Sequence, residues 1–130
     1  MLSAEVGHRP DGAGLARRVV AEHFPSARAA WLGGSVARGD ATAASDLDIT
    51  ILLAGAPAPY RQSTILDGWA VELFVHDEGS LAHYRDRDRL RAHPTIQRLV
   101  GESLVLLDRD GAGAGLQADC RAEVERGPGP

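Results

Sequence analysis

The stretch GGSVARGDATAASDLDITILL, residues 33–53, joins a Gly-Gly-Ser turn to two aspartates that open an apolar segment. We expect residues 46–53 to form a strand. Because side chains alternate along a strand, Leu47, Ile49 and Ile51 share one face, and Asp46, Asp48 and Thr50 share the other. An unpaired carboxylate is costly to remove from water. Aspartates at the mouth of a core strand therefore indicate a charged partner.

Length and composition limit the possible classes of protein. The chain has 130 residues, 44% hydrophobic and 25% charged, which predicts one soluble globular domain. No apolar run approaches the ~20 residues that span a bilayer, and residues 1–14 lack a signal-peptide core, so we expect a cytoplasmic protein. A single cysteine excludes a disulfide framework. All 14 basic residues are arginine, which excludes a catalytic or phosphate-loop lysine.

The spacing of apolar residues, and the Gly and Pro residues that mark turns, predict the remaining helices and strands. Helices are expected at 13–24, 35–39, 78–91, 94–100 and 115–125. Further strands are expected at 27–32, 62–66, 69–76 and 103–107. The dipeptide Asp67-Gly68 favours a type I′ turn and predicts a hairpin from 62–66 and 69–76. Trp31 and Trp69 are expected in the core, and Cys120 as an apolar residue on a helix.

A third carboxylate stands on the second arm of the hairpin. Trp69, Val71, Leu73 and Val75 share one face there, which leaves Glu72 on the other. If the two strands are neighbours, Asp46, Asp48 and Glu72 converge at one end of the sheet. Carboxylates spaced like Asp46 and Asp48 can converge on metal ions about 3.5–4 Å apart. An all-carboxylate site favours Mg²⁺, and the metal in turn implies a phosphate substrate.

The Gly-Ser turn offers a matching phosphate site. Gly33 and Gly34 let the backbone approach a ligand closely. A helix that starts at Ser35 would present free N–H groups to an anion, with Ser35 as N-cap and hydroxyl donor. Arg38, one turn later, reaches the same anion or instead forms a surface salt bridge with Asp40.

Together these residues resemble a known family. The run Gly34-Ser-Val-Ala-Arg38-Gly, followed by Ser45-Asp46-Leu-Asp48, is similar to the signature of the DNA polymerase β-like nucleotidyltransferase superfamily. The minimal and the aminoglycoside nucleotidyltransferase-like proteins are most like it. The segment VELFV at 71–75 is similar to the strand that supplies their third carboxylate, which falls at Glu72. The resemblance covers residues 13–110 and implies an α+β fold, a small mixed sheet of four or five strands flanked by helices.

The resemblance also implies a reaction. Two Mg²⁺ ions and a nucleoside triphosphate, usually ATP, would meet at the site, and a hydroxyl acceptor would attack the α-phosphate with release of pyrophosphate. Asp46 and Asp48 would bind both metals, while Glu72 would bind one and take the acceptor's proton. The implied nucleotide-binding residues are Gly33, Gly34, Ser35, Arg38 and Ser45.

The remaining expectations concern the ends of the chain, its partners and the competing function. We expect a flexible lead-in at 1–12, a catalytic domain at 13–110, and at 111–130 a terminal helix with a Gly/Pro tail that resembles a linker to a helical domain. The family implies a helical protein partner or a homodimer, and an acceptor that is a small molecule, a protein or an RNA end; no membrane partner is expected. The competing hypothesis is a non-catalytic nucleotide-binding or antitoxin-like module, against which the three carboxylates argue.

Two other segments are predicted to have no catalytic role, and one histidine is expected near the site. The charged run RDRDRLR at 85–91 is typical of a solvated helix face. The run GAGAG at 111–115 lacks dinucleotide-binding spacing and is expected to be a flexible connector. His76 shares the face of Glu72 and is expected to border the site.

Overall fold

A computed structural model describes residues 9–91 and 93–127 of the chain. Within these ranges there are five helices, listed in chain order as α1 Gly12–His23, α2 Gly34–Arg38, α3 Glu78–Leu90, α4 Thr95–Gly101 and α5 Ala112–Arg126. The strands are β1 Ala29–Gly33, β2 Leu47–Leu52, β3 Tyr60–Leu66, β4 Trp69–His76 and β5 Leu104–Asp108. They form one sheet in the order β3-β4-β2-β1-β5, in which β2 and β4 are parallel and the other neighbours antiparallel. The expected α+β fold with a small mixed sheet is confirmed.

The predicted hairpin is present with a two-residue turn. Asp67 and Gly68 both have positive φ, 48° and 83°, as a type I′ turn requires. The first strand is longer than expected, because pairing with β4 continues back to Tyr60.

Helices cover the two faces of the sheet unequally. Helix α1 packs on one face, against the buried side chains Leu47, Ile49, Val71 and Leu73. The opposite face lies under α3, α4 and α5, where Trp31, Leu52, Leu81, Val100 and Cys120 form a second cluster. Both tryptophans and the cysteine are buried, as predicted. No helix within the described ranges is both long and apolar enough to cross a membrane.

The N-terminal segment is held where the structure describes it. Residues 1–8 of the expected lead-in lie outside the described residues. The Arg9 guanidinium lies 3.5 Å from the centroid of the Trp69 ring and donates to the Ser45 carbonyl. The Pro10 carbonyl accepts from the Trp69 indole N–H at 2.9 Å, because an indole donor at the domain boundary needs an acceptor. Arg9 and Pro10 of the expected lead-in therefore contact the domain in the structure.

The prediction for the glycine-rich segment is wrong, and that for the charged segment holds except at one residue. Helix α5 begins at Ala112, so most of the GAGAG run is helical and not a connector. The Asp108 carboxylate accepts from the backbone N–H groups of Gly111, Gly113 and Ala114, which fixes the start of the helix. The run at 85–91 is mostly exposed, as predicted. Asp88 is its buried exception, because its carboxylate accepts from the Ile96 N–H at the start of α4.

Candidate active site

The three predicted carboxylates, those of Asp46, Asp48 and Glu72, lie on or next to two neighbouring strands. Asp48 of β2 and Glu72 of β4 are register partners in the parallel pair, so their side chains share one face of the sheet. Asp46 lies one residue before β2 and is exposed. The fold therefore brings the predicted acidic residues to one end of the sheet, on the face that α4 covers.

Charge repulsion and burial act together on Asp48. Its pKa is raised, first by burial of the carboxyl group and then by the negative charges of Asp46 and Glu72. Arg61 and Arg38 oppose this shift and do not cancel it. The carboxylate of Asp48 is thus destabilised in its charged form, and a cation at this point would relieve it.

The Gly-Ser turn passes directly over Asp48. Gly34 has φ of 78°, and a Cβ at this position would lie 2.8 Å from the Asp48 Oδ2. Both the conformation and the space therefore require glycine. The close approach places the backbone at the start of α2 against the carboxylate.

A pair of serines ties this turn to the loop before β2. The Ser35 hydroxyl donates to the Ser45 Oγ at 2.7 Å, and the same Oγ accepts from the Thr42 N–H at 2.7 Å. The prediction that Ser35 is the N-cap is wrong, because α2 already begins at Gly34 with Gly33 as its cap. The serines instead fix the spacing between the turn and the aspartates.

Gly33 and Arg38 are placed differently from each other. Gly33 is buried, and a Cβ there would lie 2.7 Å from the Leu99 carbonyl oxygen, so its small size serves the packing of α4 on β1. Arg38 is exposed and approaches Asp40 at 3.9 Å, the surface salt bridge that the sequence also allowed. It nevertheless remains at the edge of the acidic site.

An open cavity of about 450 Å³, here called the carboxylate cavity, unites most of these residues. Among its lining residues are the predicted ones Gly34, Ser35, Arg38, Asp46 and Asp48. Its far wall is α4, through Thr95, Arg98 and Leu99. Sequence reasoning missed this wall, since a short helix after Pro94 carries no signal of where it packs.

The third carboxylate, that of Glu72, makes its closest contacts with β3 and not with Asp48. Glu72 accepts from the Arg61 Nε at 2.8 Å and from the Ser63 hydroxyl, and both residues lie on β3. These hydrogen bonds lower the pKa of Glu72, and the bond from Ser63 has the larger effect. Within the residues that the structure describes, no three His, Cys, Asp or Glu side chains are grouped closely enough to hold a metal ion. Neither Arg61 nor Ser63 was predicted from the sequence as a partner of Glu72. The signal was present for Ser63, because counting outward from the turn at Asp67-Gly68 pairs it with Glu72.

The comparisons with known proteins concern the family and the fold. The family model for the nucleotidyltransferase domain matches residues 15–92. A solved nucleotidyltransferase-like protein from Exiguobacterium sibiricum shares the fold, with a TM-score of 0.64 at 16% identity over 84% of this chain and 38% of that one. The chain thus spans well under half the length of that protein. No curated protein matches the sequence. From the matched residues and the shared fold, the chain belongs to the nucleotidyltransferase domain family.

Proposed function

We propose that the protein is a Mg²⁺-dependent nucleotidyltransferase that moves a nucleoside monophosphate, AMP from ATP, to a hydroxyl acceptor and releases pyrophosphate. The observation that carries the proposal is the position of Asp48. It lies under the Gly34 turn, in register with Glu72, and in a cavity shared with Asp46. A phosphate-binding turn and clustered carboxylates are the two parts that nucleotidyl transfer needs.

The donor set fits magnesium. Asp46, Asp48 and Glu72 offer only carboxylate oxygens, which Mg²⁺ prefers. Burial, and then the charges of Asp46 and Glu72, raise the pKa of Asp48, so a bound cation would stabilise its carboxylate. When bound, Mg²⁺ would neutralise phosphate charge and favour ionisation of the attacking hydroxyl. For Glu72 to join the set, its carboxylate would turn from Arg61 and Ser63 toward Asp48.

The chain's own groups supply the remaining roles. The backbone N–H groups of Gly34 and Ser35 would hold the β- and γ-phosphates, and Arg38 would approach the same anion from the rim of the cavity. The acceptor oxygen would form a bond to the α-phosphorus while the bond from that phosphorus to the bridging oxygen breaks. Glu72 would take the hydroxyl proton, and pyrophosphate would carry away the electron pair.

The test measures transfer of label from ATP labelled at the α-phosphate, with Mg²⁺ and a panel of acceptors. We expect pyrophosphate release and acceptor labelling by the wild type, and neither by the double variant Asp46→Asn/Asp48→Asn. The matched control is Asp86→Asn, an exposed aspartate on α3 paired only with Arg89 among the described residues, which should transfer at the wild-type rate.

Two results would contradict the proposal. Transfer retained by the double variant would remove the two aspartates from the chemistry. No transfer by the wild type, together with a rise in melting temperature on adding Mg²⁺ and ATP, would favour the non-catalytic nucleotide-binding module.

A further inference from the structure

A second cavity of about 390 Å³, here called the aromatic cavity, lies beside the first. Its floor is β4, through Phe74 and His76, and one wall is α3, through Tyr84 and Arg87. Arg61 of β3 borders it as well. This volume falls within the range of small-molecule pockets, about 300–1,000 Å³.

The two cavities meet at the carboxylates. Thr95 and Leu99 of α4 line both of them. Glu72 stands two residues before Phe74 on the same face of β4, and its salt-bridge partner Arg61 lines the aromatic cavity. A molecule in the aromatic cavity would therefore reach the carboxylates from the side opposite the Gly34 turn.

This placement matches the geometry of the proposed reaction. In an in-line displacement the attacking and leaving oxygens stand on opposite sides of the phosphorus. With the leaving pyrophosphate over the Gly34 turn, the attacking hydroxyl belongs on the Glu72 side. The aromatic cavity is the space that opens there.

The lining of the aromatic cavity combines flat surfaces with hydrogen-bond donors. The Arg87 guanidinium lies 4.4 Å from the centroid of the Tyr84 ring, and that of Arg61 lies 5.0 Å from the centroid of Phe74. Guanidinium and aromatic planes both stack on nucleic-acid bases, and guanidinium groups pair with phosphate. Among the described residues, the one polar partner of the Arg87 side chain is the Asp88 Oδ1 at 3.5 Å, so most of its donors can serve a ligand.

The same lining disfavours a cationic acceptor. Among the described lining residues the one carboxyl group is that of Asp88, which is buried and accepts from the Ile96 N–H at 2.9 Å. The neighbouring Glu72 is already paired with Arg61 and Ser63. An ammonium group in the cavity would thus meet two guanidinium groups and no unengaged carboxylate among the described lining residues.

We infer that the aromatic cavity binds the acceptor and that the acceptor is a nucleotide, with a flat base stacked at Tyr84 and a phosphate held by Arg87. This inference rests on the proposed function. A ribose hydroxyl would form the new bond to the α-phosphorus of ATP, its proton passing to Glu72 and pyrophosphate leaving. A free mononucleotide and the terminal nucleotide of an RNA share this chemistry.

The first experiment compares acceptors with the full chain, labelled ATP and Mg²⁺. The probes are uridine 5′-monophosphate (UMP), uridine, a short oligouridylate and kanamycin as a polycationic amino sugar. We expect UMP or oligouridylate to be labelled, uridine to be about tenfold poorer in kcat/KM than UMP because it lacks the phosphate, and kanamycin to be the poorest. Preference between UMP and oligouridylate separates the free nucleotide from the RNA end. A higher kcat/KM for kanamycin than for both uridylates would overturn the inference.

The second experiment uses variants of the cavity wall. Arg87→Gln should raise the KM for UMP about tenfold and leave the KM for ATP unchanged, since Arg87 lies outside the carboxylate cavity. Tyr84→Leu should raise the KM for UMP by a similar factor through lost stacking. Arg89→Gln, on the same helix, is the matched control and should change neither constant. An unchanged KM for UMP in both wall variants would refute the assignment.

Calorimetric binding of UMP separates this inference from the proposed function. If the wild type transfers nothing, UMP binding that Arg87→Gln weakens would still support the cavity assignment while the catalytic proposal fails. Transfer to other acceptors with no UMP binding would leave the catalytic proposal standing and overturn the acceptor assignment.

Discussion

The two faces of the sheet are built for different purposes. Under α1 the packing is continuous and apolar, from Leu15 and Val19 of the helix to Leu47 and Ile49 of β2. On the opposite face the helices bury the sheet at β1, through Trp31, and leave the start of β2 open to the carboxylate cavity. There the carboxylates of Asp48 and Glu72 lie next in sequence to buried core residues. The comparison suggests that one face maintains the fold, which lets the other keep destabilising charges at the site.

The largest effect should follow from Asp48→Asn. We expect transfer to fall about a thousandfold, since under our proposal Asp48 would bind the metal, and a direct metal ligand supplies several kcal/mol to the transition state. We also expect a higher melting temperature without Mg²⁺, because the folded state raises the pKa of this carboxyl and so disfavours its charge. Transfer assays and thermal melts measure the two effects. A lower melting temperature would contradict our account of the site as a store of unfavourable charge.

On the α1 face, the corresponding change is Leu15→Ala. Leu15 is buried in the apolar cluster, so its truncation should lower the free energy of unfolding by about 2–5 kcal/mol. The KM for ATP, measured well below the melting temperature, should stay at the wild-type value. Urea titration checks the first expectation. The exposed neighbour Arg17→Ala should change stability by less than about 0.5 kcal/mol, and a comparable loss in both would show that the apolar contact is not the cause.

A smaller effect on the same face should follow from Asp11→Ala. The Asp11 carboxylate accepts from the Gly14 N–H at 2.8 Å and caps α1. Its loss should cost about 1 kcal/mol, measured by urea titration. Asp11→Ser keeps a capping oxygen and should retain most of the stability, whereas equal losses in the two variants would point away from the cap.

The smallest effect concerns His76, which is buried on the other face and contacts the Ser80 Oγ at 3.0 Å. Burial lowers its pKa below 6.5, against the opposing charge of Asp77. Below pH 6.5 the unfolded chain therefore binds a proton more readily than the folded one, and stability falls as the pH decreases from 6.5 to the lowered pKa. His76→Gln should flatten this part of the pH profile of the melting temperature. The exposed His23→Gln should leave it intact, and flattening by His23→Gln instead would exclude His76 as the source.

Much of the fold and of the site was predictable because local rules determine both. Strand alternation places Asp48 and Glu72 on faces opposite their apolar neighbours, and the Asp-Gly turn sets the hairpin register. What alternation could not supply is the pairing of β2 with β4. This parallel contact joins strands separated by the whole of β3, and from the sequence it remained a condition for the convergence of the carboxylates.

Other features depend on contacts between distant segments, which no local pattern records. Asp88 looked like one charge in a solvated run, yet it caps α4 from a buried position. Arg61 lies beside Glu72 across the hairpin, and its guanidinium reaches the carboxylate only in the folded register. Gly33 resembled a ligand-binding glycine, and its neighbour is the α4 backbone.

The contact between Gly33 and Leu99 bears on how the substrate range of such a domain can diverge. With 2.7 Å between a Cβ at Gly33 and the Leu99 carbonyl oxygen, no larger residue fits unless α4 moves away from β1. Leu99 lines both cavities, so a displaced α4 would reshape the two together. If the aromatic cavity binds the acceptor, as we propose, a change of acceptor that preserves nucleotide binding is expected at positions that line that cavity alone, of which Arg87 is an example.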